Sequence, residues 1–131
     1  MSDPLYGLTI QSLVEQSHST ALNKGWYGDD GKQERNFGEV IALMHSELTE
    51  ALEDYRNGHG LDELYYLQGM EGTETERTLN AKPCGIPIEF ADVIIRIADT
   101  CGRHGIDLET ALKIKMEYNE SRPYRHGGKV A

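Results

Sequence analysis

Two acidic pairs in this 131-residue chain have the residue types and spacing to do chemistry. Glu47-x-x-Glu50 lies inside Val40-Ile-Ala-Leu-Met-His-Ser-Glu-Leu-Thr-Glu-Ala-Leu. Glu89-x-x-Asp92 lies inside Ile86-Pro-Ile-Glu-Phe-Ala-Asp-Val-Ile-Ile-Arg-Ile-Ala. Residues three apart on a helix share a face, with Cβ atoms about 5–6 Å apart, so each pair aims two carboxylates the same way. Two such helices packed together would gather four carboxylates in one small volume. Four anions that close require protons or cations. Hard divalent cations such as Mg²⁺ choose oxygen ligands and are the natural counter-charge.

The elements that must carry these pairs are helical. Wound at about 100° per residue, Ile88 to Gly102 is apolar over more than half its circumference. The remaining strip holds Glu89, Asp92, Arg96 and Asp99. A helix so apolar is normally buried, which would bury the strip or line a cleft with it. The plainer alternative is a solvated face with Arg96 neutralising its neighbours. On the first motif helix the expected core stripe is Val40, Met44, Leu48, Ala51, Leu52 and Tyr55. Glu47, Glu50 and Asp54 border it and should face a neighbouring element. His45, beside the first pair, is a weaker candidate for a supporting group.

Composition narrows the function classes. Formal net charge is -9, which argues against a general nucleic-acid or anionic-membrane surface. A small anionic ligand held through metal ions is still compatible with it. Cys84 and Cys101 form no C-x-x-C or Cys/His cluster and read as reduced thiols, Cys101 in the core and Cys84 in a loop. No signal peptide and no apolar run of about 18 residues is visible, so a cytoplasmic protein is expected.

The rest of the chain reads as one all-α domain. Asp3-Pro4 starts a helix expected from Leu5 to about Lys24, with His18 on its surface. Residues 25–36 form a glycine- and aspartate-rich loop that carries the only Trp, Trp26, which either covers the bundle end or stacks on a ligand. Asn36 with Glu39 resembles a capping box opening the first motif helix, Phe37 to Asn57. Residues 58–84 are the least periodic: Leu61 to Gln68 reads as one short helix, and the remainder as an insertion or lid. Gly85 and Gly105 bound the second motif helix. Asp107 caps the last one, Leu108 to about Arg122, with an expected core stripe of Leu108, Ala111, Leu112 and Tyr118, and Ile114 and Lys115 at its edge. The 122–131 tail is basic, a possible phosphate contact in so acidic a chain.

Four segments together resemble the MazG-like branch of the all-α NTP pyrophosphohydrolases. They are Lys24-Gly-Trp with Arg35-Asn-Phe-Gly-Glu; Leu43-Met-His-Ser-Glu-Leu-Thr-Glu-Ala-Leu; Gly85-Ile-Pro-Ile-Glu-Phe-Ala-Asp-Val-Ile-Ile-Arg; and Lys115-Met-Glu-Tyr-Asn-Glu-Ser-Arg-Pro-Tyr-Arg-His-Gly-Gly-Lys. The resemblance implies a bundle of four main helices completed by oligomerisation, as a homodimer or homotetramer. It implies hydrolysis of an NTP or dNTP to the monophosphate and pyrophosphate with Mg²⁺, or Mn²⁺ in its place. Glu47, Glu50, Glu89 and Asp92 would hold the metal, with Glu50 or Glu47 orienting the attacking water. Lys115 and Asn119 would meet substrate, Arg122 and Lys129 its phosphates, and Trp26 its base. The segment between the acidic motifs, residues 51–88, is longer than is usual in that family.

Two other readings share these residues. A di-iron carboxylate bundle would want Glu-x-x-His on two helices, and the third residue after each motif glutamate is Glu50 or Asp92. A non-catalytic helical module could instead sense a metal–nucleotide such as an alarmone, or bind a protein partner.

Overall fold

A computed structural model describes residues 7–67 and 81–124. Four helices pack together: α1 (Ile10–Asn23), α2 (Phe37–Arg56), α3 (Ile86–His104) and α4 (Leu108–Ser121). Between α2 and α3 lie two short strands, β1 (Tyr65–Leu67) and β2 (Lys82–Cys84). No helix among the described residues is long and apolar enough to cross a membrane.

Local chemistry sets the ends of the helices. Thr9 and Ser12 cap α1 reciprocally: the Ser12 amide donates to Thr9 Oγ1 and the Thr9 amide to Ser12 Oγ. The first helix therefore starts at Ile10, not Leu5 as expected. Gly7 is left-handed (φ 69°) and Leu8 is exposed; the expected Asp3-Pro4 start lies outside the described residues. The Asn36 side chain accepts the Glu39 amide and opens α2 as expected. Gly105 closes α3 in the left-handed conformation, and Asp107 caps α4 by accepting the Thr110 amide.

The 58–84 segment departs from expectation. Tyr65–Leu67 is a strand, not part of a short helix, and pairs antiparallel with Lys82–Cys84 in the register Tyr65↔Cys84, Tyr66↔Pro83, Leu67↔Lys82. The adjacent tyrosines favour an extended chain, and pairing satisfies the backbone of this run. Tyr65 ties the hairpin to α2: its hydroxyl donates to Asp54 Oδ1 at 3.0 Å, and its ring stacks on His59 at 4.3 Å. Cys84 is thus a buried strand residue, not a loop residue. The remainder expected as an insertion or lid, residues 68–80, lies outside the described residues.

α3 is the central helix and packs on both α1 and α2. The core is small: Val14, Ala98 and Cys101, with Leu13, Ile97 and Leu108 against them. Much of the expected apolar stripe is not buried. On α2, Ala51 is buried, while Leu48, Leu52 and Tyr55 are exposed. On α3, Phe90 and Ile94 are each 51 % exposed. No residue of α4 is fully buried; of its expected core stripe only Leu108 packs against the core within one chain, and α4 rests lightly on α1. The polar strip of α3, by contrast, turns inward, with Asp99 only 2 % exposed.

Candidate metal centre

The junction of α2 and α3 brings the acidic pairs together. Glu47, Glu50 and Glu89 each offer a carboxylate oxygen within 4.8 Å of the others. Glu47 is buried, Glu89 half-buried and Glu50 exposed, so the group opens to solvent on the Glu50 side. Asp92 stands one helical turn from Glu89, and its pKa is raised, first by burial and then by the charge of Glu47. Arg96 and Lys82 act on Asp92 in the opposite direction.

The electrostatics of this group are compatible with a bound cation. Burial, with the neighbouring carboxyls of Glu47 and Glu50, pushes the Glu89 pKa from the ordinary 4.5 up to about 8. One Glu89 oxygen, Oε2, is cut off from solvent and receives no hydrogen bond. A buried acceptor in that position calls for a proton, a donor or a cation. All-oxygen donors of this kind suit Mg²⁺ or Mn²⁺ rather than softer metals. The residues present therefore fit a hard divalent ion.

One cation is built in. Arg96 reaches across from α3 and places both Nε and a terminal nitrogen on Glu47 Oε1, each at 2.9 Å. Its guanidinium carbon lies 5.6 Å from the centroid of the Trp26 ring, and that of Arg35 lies 5.7 Å away. Trp26, 39 % exposed, therefore stands beside the carboxylates with two guanidinium groups near its ring.

The loop that carries Trp26 is clamped to α3. Tyr27 is the residue that plugs into the bundle; its hydroxyl donates to buried Asp99 Oδ2 at 2.8 Å, and Asp99 Oδ1 meets His18 Nδ1 at 2.9 Å. Burial, then this hydrogen bond, raises the Tyr27 pKa to about 12. Arg103 lies 4.2 Å over the Tyr27 ring and donates to the carbonyl of Gly31 and the carboxylate of Glu34. His18 is thus part of a buried network, not a plain surface residue. His45 is exposed, and the Thr49 hydroxyl donates to its carbonyl.

Lys115, Asn119 and Arg122 lie on α4 and at its end. Lys115 and Arg122 both approach the Tyr118 ring, at 4.9 and 5.6 Å, and the Asn119 carbonyl accepts the Arg122 amide. All three belong to the α4 end of the molecule, and among the described residues no hydrogen bond or ion pair joins them to the carboxylates. Lys129 lies outside the described residues. Sequence reasoning missed Lys82, whose nearness depends on the hairpin, and the Tyr27–Asp99–His18 network. The one available signal for the latter was Asp99 on the inward strip of α3.

No protein-family model, curated protein or solved structure matches this chain.

Proposed function

We propose that the chain is a MazG-like nucleoside triphosphate pyrophosphohydrolase, dependent on Mg²⁺ or Mn²⁺. The observation that carries this reading is the convergence of Glu47, Glu50 and Glu89, beside Asp92, with a buried Glu89 oxygen that has no donor. Such a group is balanced by protons or by a cation, and a cation held by carboxylates is what a polyphosphate in an acidic protein requires.

In this mechanism Glu47, Glu50, Glu89 and Asp92 would hold the metal, and Glu50, the solvent-exposed member, would also orient the attacking water and accept its proton. The bound divalent ion supplies charge neutralisation at the phosphates and acidifies water. Water adds at the α–β phosphoanhydride, the bridging bond breaks, and the monophosphate and pyrophosphate leave. Trp26 offers an aromatic face for the base, and Arg35 and Arg96 offer positive charge on the same side. Lys115, Asn119 and Arg122 complete the site from α4 of a second copy in a homodimer or homotetramer. That no residue of α4 is fully buried, and that Phe90 and Ile94 face outward from α3, support the assembly.

The test is a panel of NTPs and dNTPs incubated with Mg²⁺ and scored for pyrophosphate. Release is expected with at least one nucleotide, abolished by EDTA and reduced at least ~100-fold in Glu50→Ala. Mg²⁺-dependent nucleotide binding with no pyrophosphate over hours would replace catalysis with sensing.

A further inference from the structure

Arg96 is placed oddly for a permanent ion pair. The two nitrogens that reach Glu47, Nε and one terminal nitrogen, converge on a single oxygen, Oε1. The pair is largely withdrawn from solvent, with side-chain exposures of 24 % for Arg96 and 11 % for Glu47. Glu47 is at the same time one of the three carboxylates that converge. A charge this far out of water cannot lose its partner without another cation arriving, because an uncompensated buried carboxylate is costly. While it holds Glu47, Arg96 also lies within cation–π range of the half-exposed Trp26 ring, 5.6 Å away, so that ring senses any departure of the guanidinium.

We propose that Arg96 is a stand-in cation: it neutralises Glu47 in the metal-free chain and is released toward the anionic ligand when a divalent ion takes that carboxylate. This rests on the metal-dependent reading of the site and adds an exchange to it. The exchange keeps the local charge balanced at each stage and delivers a guanidinium to the polyphosphate only after the metal is in place. Arginine suits the task because it stays charged and its planar fork serves carboxylate and phosphate alike. Arg96 is a positioning and ligand-binding residue in this scheme, and Trp26 reports its location.

The test uses Mg²⁺ alone, then inorganic triphosphate with Mg²⁺, followed by calorimetry and by the emission of Trp26, the only tryptophan. Arg96→Gln should bind Mg²⁺ about three- to tenfold tighter, because the competing cation is gone, and Mg²⁺–triphosphate weaker by a similar factor. In the parent protein, Trp26 emission should change with Mg²⁺ at the calorimetric midpoint, and this change should vanish in Arg96→Gln. Arg96→Lys keeps the charge but lacks the fork; it should give intermediate values on both ligands and serves if Arg96→Gln fails to fold. The proposal is overturned by Mg²⁺ affinity that is unchanged or weaker in Arg96→Gln. It is equally overturned by tighter Mg²⁺ with unaltered triphosphate binding, the signature of a static repelling charge, or by Trp26 emission indifferent to saturating Mg²⁺. Absence of Mg²⁺ binding in both the parent and Arg96→Gln would remove the metal reading itself, and the exchange with it.

Discussion

Glu89 concentrates the electrostatics of the molecule in one side chain. Its pKa in the folded chain is about 8 against an ordinary 4.5, so between those values the folded state holds a proton that the unfolded state has lost. Stability of the metal-free protein therefore falls as pH rises through that window. A divalent cation replaces the proton, so its affinity and its stabilising effect grow over the same range. Melting in EDTA should give a lower Tm at pH 8 than at pH 6, and Mg²⁺ should raise Tm more at pH 8. Glu89→Gln should flatten the EDTA profile and erase the Mg²⁺ shift; a pH profile unchanged by Glu89→Gln would contradict this assignment. Asp99 carries a structural load instead. Asp99→Ala leaves the Tyr27 hydroxyl and the His18 ring without their acceptor and should cost roughly 1–3 kcal/mol by denaturant unfolding. Tyr27→Phe, which removes only the hydroxyl, should cost less. At this scale the four acidic residues were legible because helical spacing alone fixes which carboxylates share a face. The Arg96–Glu47 pair was not, since periodicity on one helix does not say which residue of another helix it meets.

At the scale of elements, the hairpin and its junction with α3 govern where Glu89 points. Gly85 has φ 121°, and a Cβ there would overlap the backbone carbonyl of Glu63. Gly85→Ala should lower stability by about 2 kcal/mol or more and shift α3 against α2, and weaker Mg²⁺ binding should accompany the loss. Calorimetry together with thermal melting checks both; a Gly85→Ala protein with parental Tm would place the strain elsewhere. The boundaries of α2, α3 and α4 were readable from Asn36, Gly85, Gly105 and Asp107 because caps and left-handed glycines are local signals. The start of α1 was misread because Asp3-Pro4 carries a stronger-looking signature than the Thr9–Ser12 pair that forms the cap. The strands escaped notice because a three-residue pairing has too few positions for alternation to show, and its partner lies 15 residues away across a polar stretch.

For the whole molecule, the notable feature is how much apolar surface one copy leaves uncovered. Phe90 and Ile94 on α3, Leu48 and Tyr55 on α2, and Ile114 and Met116 on α4 are all at least 46 % exposed. The apolar stripes were legible in the sequence, but whether they are buried within one chain or between copies was not, because periodicity identifies a face and not its occupant. In the proposed homo-oligomer, association of copies would cover such faces and bring α4 to the carboxylates. Sedimentation should give a mass at least twice the 14.7 kDa of one chain. Ile114→Asp should shift the protein toward monomer while preserving helicity, and should lower pyrophosphate release with it. A parent protein that sediments as a monomer at micromolar concentration would exclude this arrangement.

The most direct measurement is an anomalous-scattering map from crystals grown with Mn²⁺. The expected result is a peak with Glu47, Glu50, Glu89 or Asp92 carboxylate oxygens at roughly 2.0–2.6 Å, and Arg96 no longer on Glu47. Saturating Mn²⁺ with no peak between α2 and α3, or with its peak bound elsewhere, would contradict the central claim that these carboxylates form a divalent-metal centre.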